Sequence, residues 1–387
     1  MAQQKNVSYK FSGFIRDDLF LNSRKNVEGV DGLFHLYPLN ESLDAKGKDL
    51  NAVPNSSLSS ITARLWLDVA GPDVGTAKLA GKIEADFTGT AATPYLLYLR
   101  QAFLSLTWEG GSQLLVGQTW HPLFGEVVPD VLDLTTGAPF NPFNRSPMLR
   151  YRYTTKGLSL TAAAVYQTTS LSAGPNGKSE EYLKNGLVPE LFAGINYQSK
   201  GFLGGVGAEL LSLKPRTQAA VNGQPEKVDE RLTTASFVAQ AQYKSGAFFI
   251  AAKSFLAQNL GHTTLLGGYG LASINGQQTY TAQRHSTSWL DITYGAKWRG
   301  GLFLGYSKNL GTDKPLASNV FYGNGFDIDQ LANGSLSFSY NLPHWKAGIE
   351  YSATTAWYGD VDLRNGKVSN TTPITGHRIL GILMYMF

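Results

Sequence analysis

The side chains of this sequence that could do chemistry are charges rather than nucleophiles. Cysteine is absent, which removes thiolate catalysis, thiolate zinc sites and disulfide frameworks. Six histidines (His35, His121, His262, His285, His344 and His377) fall mostly in loops or turns and show no metal-ligand spacing along the chain. Asp291 with His285 is the nearest acid–base pairing, and nothing supplies a third member. Gly204-Gly205-Val206-Gly207 continues a strand and opens no helix, so it is not a phosphate-binding loop. Asp31, Glu41, Asp44 and Asp49 match no calcium-loop spacing and read as solvated. Two sets of charges remain. Arg16, Arg64, Lys82, Arg150 and Arg152 alternate with apolar neighbours, and His121, Glu126, Asp130 and Asp133 share one segment rich in proline and aromatics. Charges so placed act on ions and polar solutes through their field, without bond chemistry. No enzyme activity, cofactor or metal is expected.

The elements that must carry the basic set are strands. Val7, Tyr9, Phe11, Gly13 and Ile15 oppose Ser8, Lys10, Ser12, Arg16 and Asp18, with Phe14 the exception. Ile61, Ala63, Leu65, Leu67 and Val69 oppose Thr62, Arg64, Trp66 and Asp68; Leu149, Tyr151 and Tyr153 oppose Arg150 and Arg152. Period two makes a strand with one apolar and one wet face. The same alternation returns around Lys82, Glu84 and Asp86, over 190–198, and over 346–354.

Connections alternate in length. The short set is Gly71–Ala77, Glu109–Gly111, Thr154–Gly157, Ser199–Gly201, Lys244–Gly246, Arg299–Gly301 and Leu342–His344. The other set, mostly long and polar, is 21–58, 88–96, 120–146, 169–188, 214–230, 259–286, 311–329 and 359–376. Seven turns and eight loops predict sixteen strands, with both ends of the chain on the short-turn side. Strands of this kind, joined by short turns on one side and long loops on the other, predict an all-β fold: a transmembrane antiparallel up-and-down barrel with short periplasmic turns and long extracellular loops. Residues 1–387 then form a single domain. In such a barrel the apolar face meets lipid and the wet face lines the lumen.

Composition agrees. Charged residues are 16% and aromatics 12%, with 42 Gly and 19 Tyr, fewer charges than a soluble domain carries. The net charge of +4 is small and shows no basic block, which excludes a nucleic-acid partner. The longest apolar run, Ile379–Phe387, is too short for a spanning helix. The polar opening Met1-Ala2-Gln3-Gln4-Lys5 reads as a mature start. Tyr151, Tyr153, Tyr166, Tyr197, Tyr243, Tyr294, Trp298, Tyr385 and Phe387, at strand ends, read as aromatic girdles at the lipid headgroups. Two charges sit awkwardly. Arg100 falls on the apolar face, marking a subunit interface or a slipped register, and Tyr306-Ser307-Lys308-Asn309 looks bulged.

The last strand, with Gly381, Leu383, Tyr385 and the final Phe387 on one face, resembles the terminal strand of Gram-negative outer-membrane proteins. That resemblance makes Tyr385 and Phe387 a signal for the barrel-assembly machinery. The third long loop, from Trp120-His121-Pro122 through Pro129-Asp130 to Phe140-Asn141-Pro142-Phe143, resembles the constriction loop of the general porins in order, length and acidic content. The likeness is architectural and spans the whole chain. It implies that 120–146 folds inward with His121, Glu126, Asp130 and Asp133 facing a basic wall of Arg16, Arg64, Lys82, Arg150 and Arg152, a transverse field that tunes selectivity. The alternative is that these cations pair with Asp18, Asp68, Glu84 and Asp86. The resemblance further implies a homotrimer in the bacterial outer membrane, contacting membrane lipid and lipopolysaccharide and passing small hydrophilic solutes and ions. Ala80-Gly81 and Ala162-Ala163-Ala164 permit close approach of subunits without identifying the wall. Lumen charges are nearly balanced, so selectivity is expected to be weak. The competing expectations are a substrate-specific channel for oligosaccharides or anions, with Phe14, Trp66, Trp289 and Phe303 as a sugar track, and, behind it, an outer-membrane enzyme or a barrel anchor.

Overall fold

A computed structural model describes residues 7–387 apart from 90–92, 94, 222 and 275–277. Among the described residues the main sheet is built from sixteen barrel strands, to which the short strands Gly267–Leu271 and Phe321–Asn324 are joined. They are β1 (Ser8–Asn22), β2 (Asn55–Ser59, resuming as Arg64–Ala70), β3 (Lys78–Asp86), β4 (Tyr98–Thr107), β5 (Ser112–Trp120) and β6 (Arg145–Thr155). Next come β7 (Leu158–Val165), β8 (Glu190–Ser199), β9 (Phe202–Leu213), β10 (Leu232–Ser245) and β11 (Phe248–Gln258). The circuit finishes with β12 (Tyr280–Gly295), β13 (Trp298–Thr312), β14 (Ile328–Asn341), β15 (Trp345–Asp362) and β16 (Lys367–Met386). Each strand pairs antiparallel with the next. The barrel closes where β1 meets β16, with Ile15 opposite Tyr385 and Leu21 opposite Ile379. Gly13 and Phe387 exchange both backbone hydrogen bonds at 3.0 Å, so the chain's last aromatic is built into the seam. No helix among the described residues is long and apolar enough to cross a membrane.

Alternation decides the faces as expected except at Ile61, which lies in the break between Ser59 and Arg64 and turns inward to pack with Phe20 and Leu33. Tyr9, Phe11, Ile15, Leu149, Tyr151, Ile195 and Ile349 stand exposed on the outer wall, while Ser12, Asp18, Glu84 and Glu350 are buried inside. All nine expected girdle aromatics are exposed. In a soluble sheet this outer wall would be a large apolar liability; a lipid-facing surface is what it suits.

The structure moves several boundaries. The turn expected at Arg299–Gly301 lies earlier, between Gly295 and Trp298, and Arg299 to Gly301 are inside β13. Gly295 at φ +113° makes that turn, whereas Gly300 and Gly301 are flat strand glycines. The loop expected at 359–376 is instead the upper part of the β15–β16 hairpin, closed by a four-residue turn at 363–366. Its polar residues face water at a barrel mouth, so they carry no alternation to read.

Arg100 is explained by a bulge. The β3–β4 register runs Glu84↔Gln101 and then Ala85↔Leu99, leaving Arg100 as the extra residue. A bulge shifts the pleat by one, and Arg100 turns inward to 3% exposure. Of the two sequence readings, the register slip is the one that holds. Near Lys308 the register also shifts, at Leu310 opposite Arg284/His285 and at Asp329 opposite Tyr358/Trp357. Lys308 Nζ reaches Asp329 at 2.6 and 2.7 Å, which removes the bare charge that the alternation implied.

Candidate functional site

Among the described residues at least three loops fold into the lumen: the third, the first, and the one after β11, whose Leu265 and Leu266 pack with Leu123 and Phe140. The third, 121–144, leaves β5 and returns to β6, yet its anchors lie on the far wall. Lys253 on β11 donates to the carbonyls of Phe124 (2.6 Å) and Leu123 (3.3 Å). Asp291 on β12 accepts from the Asp130 amide at 2.7 Å, and Glu350 on β15 accepts from the Leu132 amide at 2.7 Å. Arg16 on β1 donates to the Leu132 carbonyl at 2.8 Å. Trp289 Nε1 donates to Asn141 Oδ1 at 3.2 Å. Leu123, Val127, Leu132 and Phe140 on the loop are buried. Phe140 sits where β13 offers Gly305, a position at which any Cβ would collide with its ring. Backbone polar groups inside a barrel must find partners. Here wall side chains supply them.

The first loop is the second inward element, and it was not legible as one. Its hairpin, Asn26–Gly29 with Phe34–Pro38, packs Leu33 against Phe20, Ile61 and Leu380, and Phe34 against Phe143 of the third loop at 4.6 Å between centroids. Tyr358 donates to the Pro38 carbonyl at 2.7 Å. Burial, with the Arg378 charge beside it, pushes His35 down to about 4, so its ring is neutral at pH 7. Three of the four first-loop acids singled out above, Asp31, Asp44 and Asp49, have hydrogen-bond partners. Asp44 accepts from the Lys46 and Lys48 amides, Tyr95 donates to Asp31, and Asp49 accepts from the Ser42 and Asn51 amides, which hold its carboxyl below the usual range.

The nine charged or titratable positions singled out above divide as follows. Glu126 pairs with Arg152, and Arg16 holds the loop backbone while pairing with Asp18. Arg64 lies 3.4 Å from Asp86 and 3.7 Å from Glu84, and Lys82 lies 2.8 Å from Asp68. Those two cations meet wall carboxylates and not the loop. Arg150 lines a cavity of about 250 Å³ with Glu126, Arg152, Asn196 and Gln240. Asp130 pairs with Arg299, and Asp133 lies 3.6 Å from Arg378. Neither arginine was among the expected cations: the first had been assigned to a turn and the second had not been placed. Lys253, Glu350 and Asp291 were likewise not read as anchors of the loop. A strict count of inward positions along β11, β12 and β15 would have found all three.

His121 pairs with none of the basic-wall residues. Its Nε2 lies 2.7 Å from Glu190 Oε1, and His262 Nε2 lies 3.1 Å from Glu190 Oε2, all three residues buried. Folding thus joins two histidines that no spacing along the chain connects. Asp291 and His285 are six residues apart on one strand, roughly 20 Å, and form no pair. Phe14 and Trp66 contact each other on β1 and β2 (6.1 Å), whereas Trp289 and Phe303 pack under the third loop. The four aromatics make two separate clusters, not a track.

No protein-family model matches this chain, and neither does any curated protein sequence. Solved structures do. The outer membrane channel DcaP of Acinetobacter baumannii superposes with a TM-score of 0.71 at 18% identity, covering 100% of this chain and 99% of that one. OmpT, an outer membrane protein of Vibrio cholerae, gives 0.60 at 12% identity, covering 100% and 99%. Salmonella typhi OmpF gives 0.53 at 11% identity, covering 98% and 97%. The likeness is one of fold: a closed sixteen-stranded outer-membrane barrel.

Proposed function

We propose that this protein is an outer-membrane porin whose lumen passes small hydrophilic solutes and ions by passive diffusion. The observation that carries the reading is the third loop, drawn across a sixteen-stranded barrel and held to the far wall through its own backbone. Sixteen strands enclose an aqueous lumen, and a loop anchored this way narrows the opening without closing it. The remaining bore lies between that loop and the wall carrying Arg64, Lys82, Arg150 and Arg152. Direct ion pairs between loop and wall leave little separated charge, which supports weak selectivity. Residues 1–387 act as one domain, with 120–146 as the constriction.

A second reading, a substrate-specific channel, draws support from the inward first loop, because each further loop in the lumen leaves less room. We infer a homotrimer as well. The outer face of β7 to β11 presents Ala162, Ala193, Ala208, Ala239 and Ala252 among larger apolar residues, a shallow concavity that suits a neighbouring subunit better than Ala80-Gly81 does. Tyr385 and Phe387 remain the proposed assembly signal, and lipid and lipopolysaccharide the proposed surroundings.

Planar bilayers test the main reading. Ohmic steps grouped in threes, with a reversal potential near zero under a salt gradient, are expected. Block of that current by a low concentration of one oligosaccharide or anion would instead favour the specific channel. Folded protein that conducts nothing would refute both.

A further inference from the structure

We propose that His121, His262 and Glu190, backed by Glu209, bind a transition-metal dication of the zinc class and thereby fasten the root of the third loop to the barrel wall. The three nearest residues come from three segments: His121 opens the loop, His262 lies in the turn Gly261–Thr263 after β11, and Glu190 starts β8. Their donor atoms all lie within 4.8 Å of one another. Metal–nitrogen and metal–oxygen bonds of about 2.0–2.2 Å put neighbouring donors roughly 3.3 Å apart, so only small movements are needed. The two imidazoles stand nearly perpendicular, 82° with centroids 6.2 Å apart, an attitude that lets both Nε2 atoms face one point.

Glu209 is the independent observation. It is 2% exposed, and neither carboxylate oxygen has a hydrogen-bond partner. Ser236, opposite it on β10, is the hydroxyl near enough to bear on Glu209, and its hydrogen bonds go to the Gln258 backbone, at 3.3 Å as donor and 3.1 Å as acceptor. Glu209 shares the lumen face of Glu190: Glu190 falls opposite Leu211, two residues along β9, and the charge that bears on Glu209 is that of Glu190. Two buried carboxylates side by side, one of them without a donor, are costly unless a cation offsets them. Imidazole and carboxylate together select zinc, cobalt or nickel over calcium.

The protons balance. The Leu123 amide points at His121 Nδ1 at 3.2 Å, so that ring carries its proton on Nε2 and donates it to Glu190. On binding, the metal takes the Nε2 lone pair, the proton moves to Nδ1, and the long Leu123 contact gives way. His262 likewise donates from Nε2 to Glu190 in the free site; on binding its proton moves to Nδ1, which is buried without a partner. His121 also lines the cavity it shares with Glu126 and Arg150, which provides an approach from the lumen.

Cobalt is the probe. Chelator-treated, folded protein is titrated with Co²⁺ and the visible ligand-field band followed, then Zn²⁺ is added. One Co²⁺ per chain, displaced by Zn²⁺, is expected. His121→Asn and His262→Asn should abolish the band, while His344→Asn, in a periplasmic turn, should keep it. Circular dichroism checks that each variant is folded. Should the histidine variants fail to fold, Glu209→Gln decides: an affinity weaker by roughly 10–100-fold is expected, the usual effect of losing a supporting group. Absence of saturable uptake by folded wild-type protein, or uptake unaltered by these substitutions, would overturn the proposal. Binding is read without conductance, so the result is independent of the porin reading.

Discussion

Arg100→Leu separates two pictures of the barrel by the sign of one free energy. With strict alternation Arg100 would face lipid near a strand end, and leucine there would be neutral or stabilising, since arginine on the lipid face costs about 0–1 kcal/mol at the interface and about 2–4 kcal/mol at the midplane. With the bulge, Arg100 Nε donates to Glu84 Oε1 and its Nη1 to Asp86 Oδ2, both at 2.7 Å, with the arginine and Asp86 almost wholly buried. Removing one partner of a buried pair costs about 3–5 kcal/mol, because a charge is left without compensation. Arg64 stays within 3.4 to 3.7 Å of both carboxylates, and Gln101 still donates to Glu84. The loss should therefore fall at the low end, about 3 kcal/mol. Guanidinium unfolding in lipid vesicles, followed by tryptophan fluorescence, measures it. Adding Asp86→Asn to the variant should recover more than half of the loss by removing the stranded charge. A leucine variant as stable as wild type, or more so, would refute the bulge and the inward side chain together.

Other outcomes follow from the same geometry. Glu126→Gln frees Arg152 in the bore; one charge about 5 Å from a passing ion in water is worth about 0.8 kcal/mol, of opposite sign for anion and cation, so the reversal potential should shift toward anions by roughly a tenfold change in permeability ratio once salt screening is included. Gly305→Val removes the seat of Phe140, and single-channel records should show altered conductance with more noise while the barrel still folds. Acid should loosen the first loop. His35 is neutral in place, so its stabilising contribution is full above about 6.5 and falls as pH drops toward 4, by up to roughly 3 kcal/mol. Hydrogen exchange of residues 26–38 should rise over that window, and His35→Gln should flatten the response. Gly111→Ala should destabilise the β4–β5 turn, where φ is +90° and a Cβ would strike the Thr154 carbonyl, with a lower unfolding midpoint as the readout.

The sequence by itself determined the fold class, the sixteen strands, the sides on which turns and loops lie, the outward aromatics and the inward charges of the early strands. These are local properties: period two at Val7–Ile15 or Leu149–Tyr153 states a face without reference to any other strand, and short turns need their own Gly, Pro or polar residues. Tertiary structure decided what the charges do. Whether Arg64 met Asp86 or the third loop, and that Asp130 would find Arg299, depended on register across strands far apart in the chain. A single extra residue at Arg100 or Leu310 resets that register without leaving a mark in composition. The inward fold of the first loop was equally hidden, because its anchors Phe20, Leu380 and Tyr358 stand on three different strands. So was the meeting of His121 with His262 at Glu190: the two lie 141 positions apart, and only closure of the barrel brings their segments onto one carboxylate.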